Sequence, residues 1–199
     1  MKTFITFTVL MSLTLSYVAL GQPYKDGVEY QTSKNAYRCQ YSVSQYDGNH
    51  YYGFTNTKNV LRSMHPGHDG WGDTPKIISE RRLLNLLYEV YGGKEKMQIM
   101  GKETIDMLFY IGMDFRVKEL VISISSDKEN ICTSIIQVED IENLIKENIR
   151  FIFDRNDPTY RNAIYVIQAG FSYVISEIPE ILEKGEYLTP HFRTRRRID

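Results

Sequence analysis

Cysteine is scarce in this chain, tryptophan scarcer still, and neither sign of charge prevails. Two cysteines, one tryptophan and six prolines occur in 199 residues, with 24 lysines and arginines against 25 aspartates and glutamates. Near-neutrality removes the reason to expect nucleic acid as a partner, because that role needs a basic surface. Two cysteines leave a zinc site short of ligands, and neither lies in a local catalytic signature. There is no Gly-x-Ser-x-Gly elbow to supply a hydrolase nucleophile, and no pair of carboxylates stands out as an acid/base couple. No internal repeat, low-complexity block or long proline-rich linker appears. Tyrosine, by contrast, is abundant at fifteen. It suits half-buried strands and exposed binding surfaces alike. The sequence names no molecular activity and implies no cofactor.

Charge is also missing from Thr3 to Gly21, directly after the positive start Met1-Lys2. The run is mostly apolar, diluted by threonine and serine, and Ala19 and Gly21 place small residues three before and immediately before a cut after Gly21. This order is that of a cleavable secretory signal. The alternative is a retained anchor, and the run is near the minimum length for one. With no cysteine near the cut, a lipid anchor is not supported. The expected protein is exported, periplasmic or secreted, with no membrane span after cleavage. About 178 residues remain, and the formal charge moves from −1 to −2 with the loss of Lys2. In an oxidising compartment Cys39 and Cys132 can form a disulfide, which would stabilise the fold by roughly 4–5 kcal/mol. The other reading is two separate buried thiols.

The rest of the chain divides by period. Residues 22–35 are polar and turn-rich and read as a loose lead. Two strands, 36–43 and 50–55, flank the turn Asp47-Gly48-Asn49. Residues 63–75 hold three glycines and two prolines, which argues against regular structure. A helix is expected after Thr74 as cap and Pro75 as first residue, with Ile77, Leu84, Leu87, Tyr88 and Tyr91 on one face, stopped by Gly92-Gly93. A short helical piece follows over 94–100. Period 2 returns over 105–112 and 117–125, joined by the turn 113–116. Val138, Ile141, Leu144, Ile145 and Ile149 then recur at helical spacing, with Glu139, Asp140, Glu142, Lys146 and Glu147 covering the other face. Residues 164–175 read as the longest strand, with Tyr165, Ile167, Ala169, Phe171 and Tyr173 on one side. A last short helix is expected over 179–184. The fold class is α+β: a small antiparallel sheet with one packed helix, in the order strand, strand, helix, strand, preceded by an N-terminal hairpin and helix. The expected divisions are a signal over 1–21, a strand/helix region over 22–103, the α+β domain over 104–185 and a basic tail over 186–199.

The strand Val117 to Ser126, the helix Val138 to Phe151 with its aromatic exit, and the strand around Ala169-Gly170-Phe171-Ser172 together resemble the C-terminal domain of TonB energy transducers. They are closer still to small secreted bacterial proteins of unknown function with this arrangement, in which a helix and a basic segment, here 83–102, precede the first strand. The resemblance implies the domain shape and the habit of binding another protein along a sheet edge.

Three expectations about function follow. The first is a non-enzymatic interaction module of the periplasm or cell envelope, with an envelope or secreted protein as partner. Its long final strand could also pair with a second copy of the chain. The second is a metal binder or metal-dependent hydrolase using the loop residues His65, His68 and Asp69, whose imidazole and carboxylate groups suit zinc. Further ligands would have to come from His50, Asp73 or His191. The third is a surface scaffold attached through the arginines of the tail, Arg193, Arg195, Arg196 and Arg197.

Overall fold

The computed structural model describes residues 23–61, 67–68, 75–154, 156–160 and 162–185. The expected signal and the basic tail lie outside them. The class is α+β, as the periodicities imply. Strands β1 (Glu29–Gln31), β2 (Ala36–Val43) and β3 (His50–Asn56) come first, then the short β4 (Gly67–His68) and β5 (Lys76–Ile77). Helices α1 (Glu80–Tyr91) and α2 (Lys94–Ile99) lead to the long hairpin β6 (Thr104–Gly112) and β7 (Val117–Ser126). Helix α3 (Ile135–Asn148), β8 (Phe151–Ile152), β9 (Tyr165–Val174) and α4 (Ile178–Lys184) complete the order.

Seven described strands form one sheet in the order β1-β2-β3-β7-β6-β9-β4, antiparallel except for β4 beside β9. The N-terminal hairpin is therefore not a separate region. Phe54 of β3 pairs with Ile122 of β7, and one hydrophobic core runs from Tyr37 and Cys39 to Phe171 and Ile178. The core cluster and the sheet both run across the expected division at 103/104. Period 2 could place each strand's inward face, but strand partners are set by contacts remote in sequence.

In β6 and β7 the inward faces read by alternation are buried. Ile105, Met107, Phe109 and Ile111 of β6 face the same side as Leu120, Ile122 and Ile124 of β7. Against them α1 lays Leu83, Leu84, Leu87 and Tyr91, and α3 lays Val138, Ile141 and Ile145. Each such aliphatic side chain contributes roughly 1.5–3 kcal/mol by leaving water. Phe109 sits at the centre, its ring 5.1 Å from Phe151 and 5.3 Å from Phe171.

Four local expectations change. The lead is not loose: β1 pairs with β2, and the buried Tyr24 ring meets Phe54 edge-on at 4.9 Å. The amides of Gly27 and Cys39 and the Asp26 carboxylate extend this cover along β2 as far as Tyr41, so the sheet edge is blunted. Helix α1 starts later than Pro75. Its cap is Ser79, whose hydroxyl accepts from the Arg82 amide, because Lys76 and Ile77 are drawn into a two-stranded ladder with β8. Within the glycine-rich loop, Gly67-His68 pairs with β9, since a parallel ladder asks only for backbone. Finally, β9 carries an extra residue between the partners of Met107 and Phe109. This bulge flips its parity, so Phe171 and Tyr173 face the core with Val166, while Tyr165 packs against Tyr110 with ring centroids 5.5 Å apart and planes tilted by 50°.

The β6–β7 turn holds the one described non-glycine residue with positive φ, Phe115 at 67°. Its amide donates to the Gly112 carbonyl at 2.8 Å and its carbonyl accepts from Phe151 at 3.1 Å. Its ring packs edge-on to Phe153 at 5.0 Å. The ring contact holds a left-handed conformation that a side chain disfavours. Phe115→Ala keeps the strain and loses the contact, so it should destabilise by about 1–2 kcal/mol. Phe115→Gly relieves the strain and should stay within about 1 kcal/mol of the parent. Urea unfolding of the two variants measures the difference, and equal midpoints would show that the strain is not felt.

Candidate functional site

The hairpin tip builds a cleft of about 390 Å³ from Leu61, Gly112, Met113, Asp114, Lys118, Glu119 and Ile164. Its position follows from one buried carboxylate. Glu119, 7% exposed, accepts from the Val60 amide at 2.7 Å and from the Leu61 amide at 3.0 Å. It thereby pulls the chain after β3 across the start of β7 and makes Leu61 a wall. Met113 and Ile164 add apolar surface, and the rim is an ion pair, Lys118 Nζ to Asp114 Oδ2 at 2.6 Å. Burial works to raise the Asp114 carboxyl, but the Lys118 ammonium and the Arg116 amide outweigh it and hold it below its ordinary value. A Cβ at Gly112 would lie 2.5 Å from Lys118 Cε and 2.7 Å from Asp114 Oδ1, so a larger residue there would push the ion pair aside. The cleft can accept an apolar side chain under a charged lip. Its Glu119 is committed to backbone amides.

Three more glutamates are buried in the same manner. Glu103, 2% exposed, accepts from the Cys132 amide, from the Thr133 amide at 3.3 Å and from the Thr133 hydroxyl at 3.0 Å. Glu139 gathers the hydroxyls of Thr32 and Ser33 and the Asn35 amide group. Burial alone would raise its pKa, but these bonds and the Lys34 amide hold it below the ordinary value. Glu142, 1% exposed, accepts from Tyr37 Oη, from Asn56 Nδ2 at 2.9 Å and from Lys146 Nζ. Burial, with this carboxylate beside it, pushes the Tyr37 phenol far up. Helical spacing had put Glu139 and Glu142 on the solvated face of α3. Instead the β1–β2 turn, β2 and the end of β3 wrap that flank and supply donors that let two carboxylates leave water. A sequence-level signal existed only as a surplus of short polar residues over 32–35.

Of the candidate metal ligands, only His50 and the backbone of His68 fall among the described residues. His65, Asp69, Asp73 and His191 lie outside the described residues, as does Trp71, and His68 is described as a backbone partner of Val166. His50 is engaged elsewhere, its Nδ1 2.7 Å from Tyr41 Oη with the two rings stacked. No group of three or more metal-ligating side chains occurs among the described residues. Cys39 and Cys132 are unbridged in this structure, Cys39 buried and Cys132 partly exposed. Cys39 points into the core from β2, whereas Cys132 stands in the loop held by Glu103. Burial pushes both thiols up to about 11, Cys132 with help from Glu103, which leaves little thiolate near neutral pH. No described helix is long and apolar enough to cross a membrane.

The fold has a counterpart among solved structures. The chain is similar in fold to a DUF5043 family protein from Bacteroides uniformis ATCC 8492, known from a crystal structure at 1.85 Å resolution. The TM-score is 0.54 at 14% identity, over 77% of this chain and 94% of the other. At that identity the likeness extends to the fold alone. No protein-family model matches the sequence, and no curated protein matches it.

Proposed function

We propose that this protein is an exported, non-enzymatic interaction module of the periplasm or cell envelope, of the TonB C-terminal-like kind, and that it engages a protein partner at the hairpin-tip cleft. The observation that carries the reading is the build of that cleft. Apolar walls meet a rim of one ion pair, and the carboxylate behind them is saturated by backbone amides. Such a site offers shape and an apolar seat, the features of a pocket that receives a partner's anchoring side chain. The charge-free run from Thr3 to Gly21 supports export. The order β6, β7, α3, β9, with α3 packed against the hairpin, supports the resemblance.

The test is co-purification from the exported fraction, comparing the parent with Ile164→Lys. Ile164 is 49% exposed, so the substitution should leave the melting temperature within a few degrees while placing a charge on the cleft wall. A partner retained by the parent should be lost at least tenfold by the variant. Equal recovery from both, or no partner from either, would count against the cleft.

A further inference from the structure

A second surface lies on the far side of the β8 ladder, and we infer that it is a docking face for an anionic lipid surface. Backbone register decides which side chains share it. Lys76 is the cross-strand partner of Ile152, the Ile78 amide donates to the Arg150 carbonyl at 3.0 Å, and Arg150 forms an antiparallel bridge with Arg116. Cross-strand partners project to the same side, and so do alternate residues of one strand. Lys76, Ile78, Arg116, Arg150 and Ile152 therefore share one face, while Ile77 and the buried Phe151 and Val117 fill the other.

The composition of this face is unusual for a solvated surface. Ile78 is 65% exposed and Ile152 58%, although both are large and β-branched. None of the ion pairs among the described residues engages Lys76, Arg116 or Arg150. Arg150 turns its guanidinium onto the last carbonyls of α3, at 2.7 Å from Ile149 O and 2.9 Å from Glu147 O, which fixes the strand beneath it. Arg82 of α1 reaches Asn148 Oδ1 at 2.6 Å and adds a further cation nearby. The carboxylate of Asp154, two residues past Ile152, accepts from the Asn156 amide at 2.8 Å.

Charge complementarity selects the occupant. Two exposed isoleucines beside Lys76 and Arg116 match a plane of anionic headgroups over an acyl boundary, where the isoleucines enter and the basic stems lie along the surface. A protein partner would instead be expected to use a concave pocket, which belongs to the hairpin-tip cleft. The inference is independent of what that cleft binds.

Flotation of the full-length protein, as isolated, with vesicles of phosphatidylglycerol and phosphatidylcholine tests it, with pure phosphatidylcholine as the comparison. The parent should bind the anionic vesicles and release as salt rises. K76Q/R116Q should weaken binding about 25-fold, since each basic residue near such a surface contributes about fivefold. I78S/I152S should weaken it on the order of tenfold. All four side chains are exposed, so matched melting curves check folding. Should the double variants melt early, K76Q alone should still cost about fivefold. Deleting residues 192–199 should leave the difference between parent and K76Q/R116Q intact. The inference is overturned by absent vesicle binding, by binding indifferent to either double variant, or by retention on polyglutamate with none on vesicles, which would assign the face to an acidic polypeptide.

Discussion

Raising the pH past about 10 should unfold this protein in one cooperative step rather than titrate its tyrosines singly. Tyr24, Tyr37, Tyr91 and Tyr173 are buried, and burial holds each phenol above its ordinary value. For Tyr37 and Tyr173 the neighbouring carboxylates, Glu142 and Glu80, add to the effect, because a phenolate cannot donate to a carboxylate. The folded state keeps these four protons after the unfolded chain has released them. Stability is therefore whole below the ordinary phenol value and falls as pH rises above it. Four such groups lower stability by about 5 kcal/mol per pH unit once the unfolded phenols are ionised. A domain holding roughly 5–15 kcal/mol then unfolds within about one to three pH units. Loss of circular dichroism should coincide with a steep rise in tyrosinate absorbance. Tyr37→Phe, having no proton to lose at that site, should make the step shallower. A gradual titration of all fifteen tyrosines with the fold intact would refute the expectation.

Glu103→Leu should destabilise the protein by roughly 3–5 kcal/mol, a large part of its total stability. Glu103 stands one residue before β6, and its carboxylate is the acceptor for the amides of Cys132 and Thr133 and for the Thr133 hydroxyl. Tyr24 Oη also donates to the Thr133 carbonyl at 3.2 Å, and Tyr91 Oη lies 3.3 Å from the Thr133 hydroxyl. Thr133 is fully buried, so donors orphaned by leucine cannot turn to water. Glu103→Gln keeps one acceptor oxygen and should cost about 1–2 kcal/mol. Thr133→Val combined with Glu103→Leu should cost less than the two separately, because they share one network. Urea denaturation of the single and double variants gives the coupling. Additive losses would show that Glu103 acts alone.

These networks mark where sequence reasoning stops. Period 2 placed Met107, Phe109, Leu120 and Ile122 on the core side, and Gly92 ended α1 in the left-handed conformation expected of a helix stop, φ 79°. Such signals are local, since a strand's two faces and a helix's cap depend on neighbours within a few residues. Helical spacing put Glu139 and Glu142 on the solvated face, and nothing in the local sequence singled out Glu103 or Glu119, yet all four are buried. Each is buried because donors arrive from sequence positions 29 to 107 residues away, Lys146 beside Glu142 being the one local donor. The bulge in β9 likewise exists only against β6, and it undid an alternation that the strand's own residues suggested.

By itself, then, the sequence determined the α+β class, most of the strand and helix segments, and the inward faces of β6 and β7. Tertiary structure decided that the N-terminal hairpin joins the main sheet, that the two cysteines stand unbridged, and that the acids in the core tie down loops. It also brought Leu61, Met113 and Ile164 together as a cleft. The physical reason is range. Periodicity and caps act over one or two turns, whereas burying a carboxylate is tolerable only when distant backbone amides and hydroxyls converge on it.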